Sequence, residues 1–428
     1  MNRLLRPASV PLTVLALLCI PLAVYFPAGF PSLRAASAIA AWAGYGLLLA
    51  SLLLMLREVR ISRWLGGVEH MTLWHHYVGI TAYLLLLCHP ALLLIDGWRH
   101  SATIGLAAIW PQPPGAVVIS GWVALLCMMA GLLATFLYKL PYRLWRLLHA
   151  LLGVAVIIGG VHLLLLDADP LIWLLLLLSV GAMALRILSI DLGLSARRYR
   201  VTHVALVAPD VIEVTMQPLA PLPDGPQGAQ GARPAAAGEL VFVGFRWVTL
   251  FGGTGEFHPF TVSGSGQRGE LRVGIKALGA HTAALQRLPV GSEADVQGPY
   301  TGFLKERAAT PQLWIAGGIG ITPFLAELRS STLTQPTRLI YVAHARQQAA
   351  YLEELEALAQ QQPQLQLQVV LTEGRRPAPE SLLPAAAELA GWHCYLCGPP
   401  GLTHQFIHAL RAHGVPDDHI FFERFDYR

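Results

Sequence analysis

Apolar residues run almost unbroken through six stretches in the first part of the chain. They lie near Ser9 to Phe26, Ala35 to Leu56, Leu73 to Ile95, Ala116 to Tyr138, Leu144 to Leu166 and Leu171 to Ile190. Each approaches or reaches the roughly 20 residues needed to cross a hydrocarbon core about 30 Å thick, so the pattern predicts six membrane-spanning helices. After Arg200 the pattern shortens to β-rich segments, Val201 to Val207, Val211 to Met216, Leu240 to Phe245 and Glu270 to Ile275, which predict an antiparallel β-barrel. Beyond Leu313, apolar runs at Leu313 to Ala316, Leu339 to Ala343, Leu367 to Leu371 and Cys394 to Cys397 alternate with helical patterns. That alternation predicts a parallel sheet flanked by helices, a Rossmann-like α/β domain. The expected division is 1–195, 196–306 and 307–428, with Pro221 to Gly238, rich in Pro, Gly, Ala and Gln, read as a mobile insertion without catalytic content.

Composition agrees: 54% of the 428 residues are hydrophobic and only 13% charged, far too apolar for a soluble protein of this length. Basic residues mark one side of the predicted spans. Arg3 and Arg6 precede the first, Arg57, Arg60 and Arg63 follow the second, Lys139, Arg143 and Arg146 join the fourth to the fifth, and Arg197 and Arg198 follow the sixth. Opposite them stand only Arg34 and Arg99, which places both termini in the cytoplasm of a plasma (inner) membrane protein. The first apolar run lacks a small-residue cleavage site and is expected to stay as an anchor. The net charge of +4 is no sign of nucleic-acid binding, since its excess sits at membrane edges. Five cysteines, three of them in apolar runs, argue against a disulfide framework.

Ionisable side chains inside spans are costly, so histidines at membrane depth are functional candidates. His75 and His89 lie on the third span, His149 and His162 on the fifth. The two spans run in the same direction, so His75 is level with His149 and His89 with His162. Two imidazoles fill both axial positions of a haem iron, which suits electron transfer. The 14 residues from His75 to His89 fall about 40° short of four turns and rise about 21 Å, so both face nearly one way. The 13 residues from His149 to His162 fall about 140° short, which calls for local distortion, and Gly153, Gly159 and Gly160 lie between them. His75 is preferred to His76 because H-x-x-x-G recurs, as His75 with Gly79 and His149 with Gly153. Arg34, at the outer end of the second span, is either a snorkelling anchor or a partner for a haem propionate or the electron acceptor.

The soluble half carries four compact motifs. His258, Pro259, Phe260, Thr261, Val262 and Ser263 combine an aromatic face, hydroxyls and a potential cation, a set that suits a flavin ring and its pyrophosphate and equally suits strand packing. Ile275 to Thr282 leads from a strand to a helix start at Thr282, where free amides favour phosphate. Gly317, Gly318, Ile319, Gly320, Ile321, Thr322 and Pro323 follow a strand and open a helix, a turn that can carry a dinucleotide pyrophosphate. Cys397, Gly398, Pro399 and Pro400 close another strand. Cys394 and Cys397 also form C-x-x-C, a redox or metal pattern to which the nucleotide role of Cys397 is preferred.

Together these motifs resemble the ferric reductase and NADPH oxidase superfamily, whose soluble half is similar to ferredoxin-NADP reductase. The resemblance covers about Arg57 to Phe425. It implies two b-type haems on His75, His149, His89 and His162, and FAD on HPFTVS and IKALGAHT. Phe260 would lie against the isoalloxazine, Thr261 near its polar edge, His258 near the pyrophosphate, and Pro259, Ser263, Lys276 and Thr282 would add contacts. GPYTG at 298–302 is similar to the loop between lobes. GGIGITP and CGPP imply NAD(P)H at Gly317, Gly318, Gly320, Thr322, Pro323, Cys397, Gly398 and Pro399, with Arg346 near the ribose. FERF at 422–425 resembles the family's C-terminal end, implying that Phe425 stacks on the flavin until nicotinamide displaces it. The oxidase branch has a further histidine where this chain has Leu93, which puts superoxide production in doubt.

The expected activity is thus transfer of electrons from cytoplasmic NAD(P)H through FAD and two haems to an acceptor across the lipid bilayer. Phe425, Cys397 and Thr261 are the expected catalytic residues. Oxygen, a ferric chelate, and a quinone or partner protein stay open as acceptors, as does a non-enzymatic haem conduit.

Overall fold

The computed structural model describes residues 8–25, 32–136, 140, 142–167, 169–221, 233–246, 256–300, 302, 304, 309–374, 377–389 and 391–423. The chain divides into two compact units, Met1–Ile190 and Asp191–Arg428.

The first unit is helical: α1 (Ser9–Tyr25), α2 (Ser32–Leu54), α3 (Val59–Trp64), α4 (Val68–Trp98), α5 (Ala102–Ile109), α6 (Ala116–Phe136), α7 (Tyr142–Leu166) and α8 (Pro170–Leu185), the last running into a π-helical turn at Arg186–Asp191. Among the described residues five helices, α2, α4, α6, α7 and α8 with its π turn, are long and apolar enough to cross a membrane; α1 is an apolar helix of 17 residues. Two short helices escaped the hydrophobic pattern. Glu58 caps α3 by accepting from the Arg60 and Ile61 amides, and Ser101 caps α5 by accepting from Ile104. α5 folds back on α4 where Gly97 and Gly105 meet, since a Cβ on Gly97 would lie 2.7 Å from the Gly105 Cα. α4 packs on α2, and α7 on α6 and α8. Leu84, Leu126, Leu147 and Leu177 point outward, as lipid-facing side chains do.

The second unit opens with a closed six-stranded barrel: β1 (Arg197–Ala208), β2 (Val211–Pro218), β3 (Leu240–Phe245), β4 (His258–Ser265), β5 (Leu271–Lys276) and β6 (Glu293–Tyr300), with α9 (Ala280–Leu285) between the last two. The strand order is β1-β2-β5-β4-β3-β6 and every described pairing is antiparallel. Val214, Met216, Val241, Val243, Val262, Leu271 and Val273 fill its interior.

A five-stranded parallel sheet follows, ordered β11-β10-β7-β8-β9. It is built from β7 (Gln312–Gly317), α10 (Thr322–Ser330), β8 (Thr337–Ala343), α11 (Leu352–Gln361), β9 (Leu365–Leu371), α12 (Ala386–Leu389), β10 (His393–Cys397), α13 (Pro400–Ala412) and β11 (Ile420–Glu423). Its inner strands β7, β8 and β10 are buried on both faces, which is why they read as continuous apolar runs. The observed architecture is thus the expected one: apolar helices, an antiparallel barrel, then a Rossmann-like sheet. Of the Pro221 to Gly238 segment, residues 222–232 lie outside the described residues, as does Phe425, while Ala235 packs into the barrel core and Arg233 pairs with Glu239.

Candidate electron-transfer sites

In the helical unit the singled-out histidines lie on α4 and α7, where His75 and His149 face each other directly. The His75 and His149 ring centres are 6.1 Å apart. Two imidazoles bonded through nitrogen to opposite sides of one metal at ~2 Å would have ring centres roughly 6 Å apart. His89 and His162 lie within electrostatic reach of each other.

Each ring is oriented by a neighbouring helix through Nδ1. The His75 Nδ1 meets the Ser51 hydroxyl at 2.8 Å and the Ser51 carbonyl at 3.0 Å. The His89 Nδ1 repeats this with Ser37, at 2.9 and 3.2 Å. On the other side His162 Nδ1 lies 2.8 Å from the Val117 carbonyl and 3.4 Å from the Ser120 hydroxyl, and His149 Nδ1 lies 3.4 Å from the Thr135 hydroxyl. A carbonyl only accepts, so in His75, His89 and His162 the proton sits on Nδ1 and the Nε2 lone pair is left to bind a metal. Ser37 and Ser51 are separated on α2 by the same 14 residues that separate His75 and His89 on α4. Sequence reading missed these orienting residues, although small hydroxyls at matching spacing were a visible signal.

The glycines near the histidines serve close packing. A Cβ on Gly121 would lie 3.0 Å from the His162 ring, and one on Gly79 would lie 3.4 Å from the Ser51 hydroxyl. Gly153 admits Met183, and Gly159 and Gly160 admit Tyr45 and Leu176. α7 is one continuous helix through all three, and each is a point of close packing against a neighbouring helix. Trp145 stacks on His149 at 4.9 Å. Arg186, at the π turn, acts electrostatically on both His75 and His149. Arg34 is held by the buried Asp96, its Nε 2.9 Å from Oδ2, with Asp96 seven residues beyond His89 on α4.

In the second unit, β4 carries HPFTVS. Phe260 is buried with the barrel core, and Pro259 pairs with Phe242 of β3. The His258 ring stacks on His281 at 4.2 Å and lies 3.7 Å from Glu256, so three potential ligand or phosphate-facing groups converge. Burial, with His281 adding to it, pushes His258 down to about 4 against the pull of Glu256, so its imidazole is neutral at pH 7. Ser263 is fully buried and donates to Glu213 at 2.6 Å. Thr282 turns its hydroxyl inward, accepting from the Leu278 and Gly279 amides at 2.9 and 3.1 Å. Lys276 lies 3.4 Å from Asp210 and faces Gly318 of the glycine-rich turn.

That turn joins β7 to α10. Gly318 takes φ +54°, a left-handed conformation that glycine adopts without strain. Gly320 answers to sterics instead: a Cβ there would lie 2.3 Å from the Cys397 carbonyl oxygen. Gly317 is likewise pressed by Leu402 and Pro399, so GGIGITP and CGPP are one packed junction at the ends of β7 and β10. Thr322 donates to the Ile319 carbonyl and Pro323 occupies the first turn of α10, where its missing N–H costs nothing. Arg346 is exposed, paired with Glu356 at 2.9 Å.

Cys397 and Cys394 point into different buried clusters of the sheet, and burial pushes the Cys394 thiol up to about 12, so neither a disulfide nor a joint metal site forms there. The Cys397 thiol instead donates to Glu423 of β11 at 3.4 Å. Burial pushes the Glu423 carboxyl up to about 7, against the pull of the Cys397 thiol and the Thr261 hydroxyl. Thr261, Cys397 and Glu423 therefore meet where barrel and sheet join. Glu423 stands within the FERF motif, but sequence reading assigned a role only to Phe425, because what sets Glu423 apart is the distant Cys397 thiol it meets.

Residues 40–160 match the ferric reductase like transmembrane component family, and residues 314–407 match the oxidoreductase NAD-binding domain family. The chain thus joins a ferric reductase-like membrane component to a nucleotide-binding reductase module, the ferric reductase/NADPH oxidase type of architecture. His75, His89 and His149 fall inside the first match and His162 just beyond it.

The reductase component of propane 2-monooxygenase from Rhodococcus jostii (strain RHA1) is 29% identical over 154 residues, covering 32% of this chain and 42% of that protein. The ferredoxin–NAD(P)(+) reductase component of the naphthalene 1,2-dioxygenase/salicylate 5-hydroxylase systems of Ralstonia sp is 29% identical over 181 residues, 39% of this chain and 55% of that protein. A third, the propane 2-monooxygenase reductase component of Mycolicibacterium smegmatis (strain ATCC 700084 / mc(2)155), is 30% identical over 193 residues, 40% and 56% of the two chains. The chain spans about half the length of these relatives.

Proposed function

We propose that the protein carries electrons from NAD(P)H on the cytoplasmic side, through FAD and two bis-histidine haems, to an acceptor beyond the bilayer. The observation that carries this reading is the pair of imidazole pairs between α4 and α7, with three of the four rings holding the Nδ1 proton on a carbonyl. Such orientation by outer partners is how metal-bound histidines are held. His75 and His149 take the inner position, His89 and His162 the outer. When bound, FAD converts a two-electron hydride donor to single electrons, and each haem passes one at a time.

The chain's own residues do the positioning. Gly318, with Lys276 facing it, leaves room for a pyrophosphate against backbone amides. His258, its imidazole neutral, and the His281 ring stacked on it offer N–H donors to a flavin phosphate. Thr261, Cys397 and Glu423 line the place where nicotinamide meets flavin, and the Glu423 carboxyl holds or releases a proton there near neutral pH.

A reduced-minus-oxidised spectrum of the purified protein tests the proposal. Bis-histidine haem bands that halve on substituting His89 or His162 are expected, and a spectrum without such bands refutes it. Nicotinamide oxidation with oxygen, with a ferric chelate and with superoxide dismutase present then identifies the acceptor.

A further inference from the structure

Arg329, in the last turn of α10, joins four elements of the second unit. Its Nη1 donates to Glu213 Oε1 of β2 at 2.8 Å and to the Ser263 carbonyl of β4 at 3.1 Å. Its Nε and Nη2 donate to the two oxygens of Glu354 on α11 at 2.6 and 2.7 Å, and Nη2 also reaches Glu213 Oε2 at 3.3 Å. Ser263 donates to Glu213 at 2.6 Å, and Tyr351, itself at φ +61°, lays its ring 5.4 Å from the guanidinium.

Glu213 and Ser263 belong to the barrel, Arg329, Tyr351 and Glu354 to the sheet's helices. The network thus ties the end of HPFTVS to the far end of the helix that GGIGITP opens. The two bodies meet flush beside it, because a Cβ on Gly274 of β5 would lie 2.7 Å from the Tyr351 hydroxyl and 3.1 Å from Ile319 of the glycine-rich turn.

Stability alone does not explain such a network. A buried ion pair repays little more than its desolvation cost, and an apolar patch of equal area would hold the lobes together as well. What the network adds is direction: a planar guanidinium gripping carboxylates on two edges fixes rotation and slide, which apolar contact does not. Burial opposes its charge, yet Glu354 and Glu213 keep Arg329 firmly protonated, and Arg329 with Ser263 holds Glu213 below the usual carboxylate range.

We propose that Arg329 is a positioning residue for hydride transfer, setting the angle and distance at which the nucleotide lobe presents nicotinamide to the flavin on the barrel. This rests on the reading that the barrel holds FAD and the sheet NAD(P)H. Arg329 touches neither group and acts through Ser263 and Glu213 on one side and α10 on the other.

The test uses the purified full-length protein loaded with FAD, and compares wild type with Arg329→Met and Glu354→Gln. The limiting rate of flavin reduction at saturating NADH or NADPH should fall on the order of tenfold or more in Arg329→Met, since small misplacements of reacting groups are costly. It should fall less in Glu354→Gln, which keeps the fold and Glu213 in place. The primary isotope effect from 4-deuterated nucleotide should rise in both, as hydride transfer becomes more limiting, with FAD content unchanged in Glu354→Gln. A merely structural clamp would lower thermal stability without moving the isotope effect. Unchanged limiting rate and isotope effect in Glu354→Gln, whatever becomes of Arg329→Met, would overturn the proposal while the flavin reading stood. A wild type that neither retains FAD nor is reduced by either nucleotide would overturn both.

Discussion

The Cys397 Sγ lies 3.4 Å from the Glu423 Oε2, both buried at the ends of adjacent parallel strands. A thiol and a carboxyl this close, beside the Thr261 hydroxyl, form a small polar island where the barrel meets the sheet.

Glu423 makes the soluble unit pH-sensitive in a predictable direction. Its folded pKa of about 7 exceeds the ordinary 4.5, so the folded chain holds the proton more tightly than the unfolded one. Stability therefore falls as pH rises from about 4.5 toward 7 and levels off above. Glu423→Gln should remove that slope and be relatively more stable than wild type at pH 8, as thermal denaturation across pH 5 to 8 would reveal. An unchanged slope would mean the carboxyl titrates normally.

Haem retention should depend on hydroxyls and carbonyls that never touch the metal. Ser51→Ala and Ser37→Ala each remove one of the two partners of a histidine Nδ1. Each should weaken haem affinity about tenfold, the low end for outer-shell loss, and only for its own haem. Pyridine haemochrome content after dilution measures this, and equal loss of both haems from either variant would argue against the assignment by level.

The glycine-rich turn should separate two roles. Gly318→Ala meets only the Lys276 Nζ, at 3.7 Å, and should cost about 1 to 2 kcal/mol for its left-handed backbone. Gly320→Ala drives a methyl group into the Cys397 carbonyl, where backbone must move, and should both lower thermal stability further and abolish most NAD(P)H-driven flavin reduction. The reverse order of damage would contradict the junction described.

Arg34 should act differently once released. Asp96→Asn removes the carboxylate that neutralises it, leaving a half-exposed positive charge on the His89 side of α4. The KM for an anionic ferric chelate should fall several-fold at low salt and recover at high salt, with oxygen consumption unaffected. A KM indifferent to the substitution would place the chelate elsewhere.

Much of the fold was legible because its signals are local. Leu240 to Phe245 forms β3 at its expected bounds, and the histidine depths follow from counting residues along helices. Other features were illegible at that range. α4 starts five residues before its apolar run at Leu73, because Val68 to Thr72 continue the helix beyond the apolar stretch. The α7 glycines were legible as a spacing signal, but not that they accommodate Tyr45, Leu176 and Met183, supplied by α2 and α8.

By itself, then, the order of residues determined the long apolar helices, the barrel and parallel sheet, and the candidate motifs, since hydropathy period, turn chemistry and motif spacing depend on neighbours in sequence. Only the tertiary structure decided that Ser51 and Ser37 hold His75 and His89, that Glu423 stands beside Cys397, and that Arg329 bridges Glu213 to Glu354. Those partners lie 24 to 116 residues apart, brought together by helix packing and strand register, and no local pattern encodes which distant hydroxyl or carboxylate a side chain will meet.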